Sequence, residues 1–124
     1  MTSVLVVDDD PLMYELYQIM LESRGFKATS ANSGDSALKL LAKEIPDLIL
    51  LDLMMPHMNG LQTLAKIKEI PKASKVPVVI FSNLMDSDTQ AEAIRLGAAR
   101  CTLKSEFTGP KLQAMVEEVL GKQA

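Results

Sequence analysis

The chain has 124 residues, of which 48% are hydrophobic and 23% are charged, and its formal net charge is −3. This length matches one domain, so residues 1–124 are predicted to fold as a unit. The acidic balance argues against direct nucleic-acid binding, since phosphate contacts usually need a positive stripe. A single cysteine excludes an intramolecular disulfide. With no apolar run long enough to insert into a membrane and no basic start typical of a signal peptide, we expect a soluble, cytoplasmic protein.

Five segments are predicted to be strands. Three of them are short, continuous runs of Val, Ile and Leu, which is typical of strands that are buried on both faces. These runs are residues 4–7, 48–51 and 78–81. Two partly polar segments, 26–30 and 100–103, fit strands at the edges of a sheet.

Five helices are predicted between and after these strands. The first begins at Asp10-Pro11, a capping carboxylate followed by a proline, and ends by Gly25. An apolar stripe at helical spacing supports it, formed by Leu12, Leu16, Ile19 and Met20. The other four helices are predicted to begin at Ser33, Asn59, Asp86 and Thr108. Strictly alternating strands and helices indicate an α/β fold with a parallel, doubly wound sheet.

Polar side chains directly follow the predicted strands. They are Asp8 and Asp9 after the first, Asp52 after the third, Ser82 after the fourth and Lys104 after the fifth. The carboxyl ends of parallel strands share one edge, where ligands bind in this class of sheet. Carboxylates that converge there repel each other unless a cation joins them, and oxygen ligands favour Mg²⁺ or Mn²⁺. A nearby lysine and hydroxyl are suited to phosphoryl oxygens, and a carboxylate can serve as the nucleophile.

Each of these residues also has a purely structural interpretation. Asp8 and Asp9 could favour the start of the first helix, and Asp10 followed by proline is best explained in that way. Ser82 could bond to backbone, and Lys104 could be a solvated edge residue. Asp52 is the hardest to explain structurally, because an acid among apolar neighbours is costly to bury without a partner.

The same segments, in this order, resemble the receiver domain of bacterial two-component response regulators, over essentially the whole chain. The matching segments are VLVVDDDP, PDLILLDLMMPHMNG, VPVVIFS and GAARCTLK. The resemblance, closest to single-domain chemotaxis regulators, implies a flavodoxin-like sheet of five strands in the order 2-1-3-4-5 with five helices. It also implies that Asp52 becomes the aspartyl phosphate, that Ser82 is the switch hydroxyl and that Lys104 contacts the phosphoryl group.

The resemblance further implies a cofactor and partners. Mg²⁺ would be held by Asp8, Asp9, Asp52 and the backbone carbonyl of Met54. The phosphoryl donor would be a sensor histidine kinase or a histidine phosphotransfer protein, and a downstream protein would receive the signal. A weak dimer through the fourth helix, fifth strand and fifth helix is a further expectation. The protein would be a regulatory phospho-acceptor rather than an enzyme, with slow autodephosphorylation.

Several positions depart from the family pattern. Cys101 stands where an aromatic residue is usual, and its place in an apolar strand predicts a small core residue. Ser105 replaces a proline that usually follows a cis bond, so a trans bond is predicted there and Phe107 is shifted by one. Asn83 replaces a small residue and narrows access to Asp52. Two apolar side chains, Met54 and Leu84, flank the expected path of attacking water, which predicts a long-lived phosphoryl group.

Two other functions fit parts of the pattern. One is a degenerate receiver that binds partners without phosphorylation, although the complete set of site residues argues against it. The other is a phosphatase that forms an aspartyl phosphate. Such an enzyme usually has a second acid two residues after the nucleophile, where this chain has Met54.

Overall fold

A parallel sheet with helices on both faces forms the structure, a computed structural model that describes residues 1–83 and 85–123, with side chains described up to residue 121. The strands are β1 (Ser3–Val7), β2 (Lys27–Ala31), β3 (Leu48–Asp52), β4 (Val78–Ser82) and β5 (Arg100–Leu103). The helices are α1 (Pro11–Glu22), α2 (Gly34–Leu41), α3 (Gly60–Glu69), α4 (Ser87–Arg95) and α5 (Gly109–Gln123), with a short 3-10 turn at Lys104–Glu106.

The strand order is β2-β1-β3-β4-β5, and every neighbouring pair is parallel. In the register, Val7 lies opposite Leu51, and Asp52 lies opposite Phe81. Because β1 and β3 end at the same level, Asp8, which follows β1, and Asp52, which ends β3, lie at the same edge of the sheet. The predicted fold class, a flavodoxin-like sheet in the order 2-1-3-4-5, is confirmed.

Two apolar cores lie on opposite faces of the sheet, because successive strand side chains point in opposite directions. The core beneath α2, α3 and α4 is built from aliphatic residues and alanines, together with the buried side chain of Met55. The core beneath α1 and α5 also contains two buried aromatic rings, Tyr17 and Phe81, with Phe107 packed against it. The aromatic residues therefore lie on the α1 and α5 side of the site.

The helix starts follow the predicted capping residues. The side chains of Asp10, Ser33, Asn59 and Asp86 each accept a hydrogen bond from the first turn of the following helix. At the start of α3, Gly60 lies so close to the Asp52 carbonyl that a Cβ atom would collide with it. Gly60 therefore lets α3 begin directly beside the end of β3.

Two details differ from the sequence-based expectations. β2 lies one residue later than predicted, at Lys27–Ala31. Helix α1 is confirmed, but Leu12, Leu16 and Ile19 are 76%, 48% and 67% exposed, and of the predicted stripe only Met20 packs against the core. The face against the sheet contains Tyr17 instead.

In the described residues, no helix is long and apolar enough to span a membrane.

Candidate functional site

The residues that follow the strands line a cleft of about 340 Å³ at the carboxyl edge of the sheet. Its lining consists of Asp8, Asp9, Asp10, Asp52, Met54, Ser82, Asn83 and Lys104. Asp8, Asp52 and Ser82 are buried, whereas Asp9 is exposed at the rim. The side chains singled out in the sequence therefore lie together in the folded protein.

The side chain of Lys104 bridges the two buried carboxylates. Its Nζ atom lies 3.2 Å from Asp8 Oδ2 and 3.4 Å from Asp52 Oδ1, and the side chain is only 11% exposed. The backbone supplies further donors, since the Asp10 N–H donates to Asp8 Oδ1 and the Met54 N–H donates to Asp52 Oδ1. A cation and two N–H groups thus partly offset the cost of burying two negative charges.

The surroundings of Asp52 disfavour the charged form of its carboxyl group. Burial, followed by the negative charge of Asp8, raises the pKa of Asp52 from 3.8 to about 7. The Lys104 ammonium and the Met54 N–H act in the opposite direction. Lys104, which Asp52 shares with Asp8, does not offset burial and the charge of Asp8, so an additional positive charge nearby would stabilise the Asp52 carboxylate.

The acidic cluster suits a divalent cation. One carboxylate oxygen from each of Asp8, Asp9 and Asp52 lies within 4.8 Å of the others. Among the described residues, Asp8 Oδ2 is buried and is approached by the Lys104 ammonium at 3.2 Å without forming a hydrogen bond, so it keeps the capacity to bind a cation within the cleft. Three hard oxygen donors without a histidine or thiolate match Mg²⁺ or Mn²⁺.

The positions that depart from the family pattern lie in different surroundings. Asn83 is exposed and lines the cleft beside Ser82, and the side chain of Met54 is 70% exposed at the same cleft. Leu84 lies outside the described residues. Cys101 is half-buried rather than fully buried, with its Sγ atom 4.0 Å from the Gln90 carbonyl, and burial raises the pKa of its thiol.

An aromatic cluster beneath Lys104 was not predicted from the sequence. Tyr17 packs edge-on against both Phe81 and Phe107, with ring centroids 5.3 and 5.6 Å apart. The Lys104 ammonium lies 5.2 Å from the centroid of Phe81, within range of a cation–π interaction. These rings come from three distant parts of the chain, so no local pattern could have indicated that they meet.

The turn after β5 is also a finding of the structure. The described residues contain no cis peptide bond, so the trans bond predicted before Ser105 is confirmed. Lys104–Glu106 forms a 3-10 turn that closes with a bond from the Phe107 N–H to the Lys104 carbonyl. Thr102 Oγ1 donates to Glu106 Oε2 at 2.8 Å across the base of this turn. Thr102 and Glu106 were not among the predicted site residues.

The sequence is similar to a known protein family and to several regulatory proteins. The model of the response regulator receiver domain family matches residues 4–117. The transcriptional regulatory protein CpxR homolog of Haemophilus influenzae is 39% identical over 124 residues, covering 100% of this chain and 52% of the relative. The transcriptional regulatory protein ZraR of Escherichia coli is 35% identical over 117 residues, covering 94% and 26%. The chain thus spans about half or less of the length of these relatives.

Solved structures agree with this assignment. The receiver domain of NtrX from Brucella abortus has a TM-score of 0.85 at 31% identity, covering 95% of this chain and 98% of that one. The chemotaxis protein CheY4 of Vibrio cholerae has a TM-score of 0.91 at 24% identity, covering 96% and 98%, and supports the fold. With the sequence match over residues 4–117 and the acids, hydroxyl and lysine gathered at one sheet edge, the chain belongs to the response regulator receiver domain family.

Proposed function

We propose that the chain is a phosphoryl-accepting receiver in a two-component phosphorelay, with Asp52 as the acceptor. The observation that supports this most directly is the buried Asp52 carboxylate, which shares its cleft with two further acids and a lysine. A structural role alone does not account for three acids and a buried lysine gathered around one open cleft. The site residues of the proposal are Asp52, Ser82 and Lys104, with Asp8, Asp9, Asp52 and the Met54 carbonyl as ligands of Mg²⁺.

The proposed step is a direct transfer of the phosphoryl group from a phosphohistidine. An oxygen of Asp52 attacks phosphorus, the phosphorus–nitrogen bond breaks, and the histidine nitrogen keeps the electron pair and takes up a proton from solvent. Bound Mg²⁺ would supply positive charge between the carboxylates and the phosphoryl oxygens. Lys104 would turn its ammonium group from Asp8 towards a phosphoryl oxygen, and the Ser82 hydroxyl would donate to another. These movements would carry the signal to the surface of α4, β5 and α5, the face also proposed for weak dimerisation.

The exposed stripe on α1 supports a protein as the donor. Leu12, Leu16 and Ile19 are large apolar residues on one helix that begins directly after the acids of the site. Burying them against a partner would be favourable and would hold the donor beside Asp52. A sensor histidine kinase or a histidine phosphotransfer protein is the proposed partner, in the cytoplasm, and a downstream protein would read the phosphorylated state.

The proposal is tested with a small phosphodonor. Incubation with acetyl phosphate and Mg²⁺ should add one phosphoryl group to the parent chain, as measured by intact-protein mass spectrometry. Asp52→Asn should abolish this gain, while the matched control Asp35→Asn, which changes an exposed carboxylate on α2, should not change it. A parent chain that gains nothing, an Asp52→Asn variant that still gains the group, or a gain that persists with a chelator would overturn the proposal.

The same experiment separates the rival functions. A degenerate receiver would not be phosphorylated, and a phosphatase would release inorganic phosphate over many turnovers. We expect slow release instead, because the exposed Met54 side chain offers no hydrogen bond to orient an attacking water.

A further inference from the structure

The position of Lys104 depends on a turn rather than on the sheet. Lys104 follows β5, an edge strand whose four residues are all only half-buried, and begins the 3-10 turn. The acids Asp8 and Asp52, by contrast, are joined to strands that are paired on both sides. Whatever fixes the turn therefore fixes the distance between the lysine and the two acids.

Besides the backbone hydrogen bond that closes it, two contacts between side chains hold this turn in place. On its outer side, Thr102 Oγ1 donates to Glu106 Oε2 at 2.8 Å, which joins the edge strand to the end of the turn. On its inner side, the Phe107 ring packs against Tyr17 and Phe81, with centroids 5.6 and 5.9 Å apart. Ser105 follows Lys104, so this position of the turn has no proline ring to restrain its backbone. These contacts between side chains supply the restraint instead.

We propose that Thr102 and Glu106 are positioning residues for Lys104. Their hydrogen bond holds the turn so that the Lys104 ammonium stays between Asp8 and Asp52, where it can meet an incoming phosphoryl group. This inference rests on the proposed function, since it assigns to the two residues a role in phosphorylation of Asp52. Neither residue touches the cleft acids in the described contacts, so both act through Lys104.

The arrangement predicts that a looser turn has opposite effects on the affinity for Mg²⁺ and on the rate of phosphorylation. The Lys104 ammonium already neutralises part of the charge of Asp8 and Asp52, so it competes with a divalent cation for the same carboxylates. A looser turn should therefore let Mg²⁺ bind more tightly. The same change should slow phosphorylation, because the ammonium is less often in place for the phosphoryl oxygens. General damage to the site would weaken both properties together.

The test uses two pairs of variants of the full chain. Thr102→Val removes the hydroxyl but keeps the shape, and Thr102→Ser keeps the hydroxyl. Glu106→Ala removes the acceptor, and Glu106→Gln keeps an acceptor oxygen with the same net charge as the alanine variant. Each is measured for its phosphorylation rate with acetyl phosphate and, separately, for its Mg²⁺ dissociation constant by calorimetry without a phosphodonor.

We expect Thr102→Val and Glu106→Ala to slow phosphorylation by roughly 3- to 10-fold, as the loss of one hydrogen bond implies. Their Mg²⁺ dissociation constants should fall relative to the Ser and Gln variants, which should stay within about 2-fold of the parent. Combining Thr102→Val with Glu106→Ala should add little to either single change. Equal rates in all variants, or slower phosphorylation with weaker Mg²⁺ binding, would overturn the inference. A parent chain that is not phosphorylated at all would instead refute the proposed function.

Discussion

The two sides of the cleft are held by different means. On the acid side, Asp8 and Asp52 lie at the ends of β1 and β3, inner strands whose backbone is paired with neighbours on both sides. On the lysine side, Lys104 follows the edge strand β5, which is paired on one side only, and begins a turn held by one backbone hydrogen bond and by contacts among side chains. The acid side is therefore rigid because of the backbone, and the lysine side is adjustable.

Under the proposed function, this difference has a direct use. A cation and a phosphoryl group need acids at fixed positions, since an oxygen donor displaced by about 1 Å no longer coordinates well. A signal needs at least one group that moves when the charge in the cleft changes. In the proposed function, the central strands would meet the first requirement and the edge of the sheet would meet the second.

The strongest test of this comparison removes the cation from the lysine side. Lys104→Met should lower the free energy of unfolding by about 2–4 kcal/mol at pH 8 without Mg²⁺, because two buried carboxylates lose their shared partner. Urea unfolding in the presence of a chelator measures the effect. Lys39→Met, on the exposed side of α2, is the control and should change the stability by less than about 0.5 kcal/mol. Equal stabilities for Lys104→Met and the parent would show that the acids do not depend on the lysine.

A second test removes a charge from the acid side. The folded-state pKa of Asp52, about 7, lies above its ordinary value of 3.8, so its contribution to stability is fully present below about pH 4 and is lost as the pH rises through 7. Asp52→Asn does not titrate. The metal-free variant should match the parent near pH 4 and become more stable by roughly 1–3 kcal/mol at pH 8.

Urea unfolding at a series of pH values measures this difference. Asp9→Asn is the matched control, because the exposed Asp9 carboxylate is hydrated in the folded state. A gap between Asp52→Asn and the parent that is independent of pH would show that Asp52 is charged throughout and that the acid side tolerates its charge.

A smaller change in stability is expected from a substitution in the aromatic cluster beneath Lys104. The Tyr17 hydroxyl is buried and has no hydrogen-bond partner among the described residues. Burial, with the charges of Asp8 and Asp52, raises the pKa of Tyr17 above its ordinary value. Tyr17→Phe should therefore stabilise the protein by about 1 kcal/mol, since it removes a polar group that gains nothing from the interior.

Thermal unfolding of Tyr17→Phe measures this, with Tyr14→Phe as the control on the same helix. A clear loss of stability in Tyr17→Phe alone would mean that its hydroxyl takes part in a bond that holds the lysine side.

The acid side was the more predictable from sequence. The apolar runs that end at Asp8 and Asp52 signal buried strands directly, and alternation with helices fixes the shared edge. Capping residues such as Ser33 and Asn59 marked helix starts because capping is a local interaction. The family resemblance then supplied the strand order, which local patterns alone do not determine.

The lysine side and the face of α1 were less predictable for physical reasons. The hydrogen bond between Thr102 and Glu106 depends on the path of a turn, and the meeting of Tyr17 with Phe107 depends on tertiary packing. On α1, Leu12 and Ile19 have the spacing of a buried stripe, yet the helix turns Tyr17 towards the sheet. The spacing of apolar residues identifies a helix. When apolar residues occur around most of the helix circumference, as on α1, their spacing does not identify which face is buried.

The place of Tyr17 also has an optical consequence. The sequence has no tryptophan, two tyrosines and three phenylalanines, so apart from the weak emission of the phenylalanines its ultraviolet emission comes from Tyr14 and Tyr17. Tyr17 lies beneath the lysine and close enough to Asp8 and Asp52 to sense their charge. Tyrosine emission responds to nearby carboxylates, so a Tyr14→Phe protein carries a single built-in fluorophore directly below the cleft. Events at Asp52 can then be followed in real time without attaching a dye.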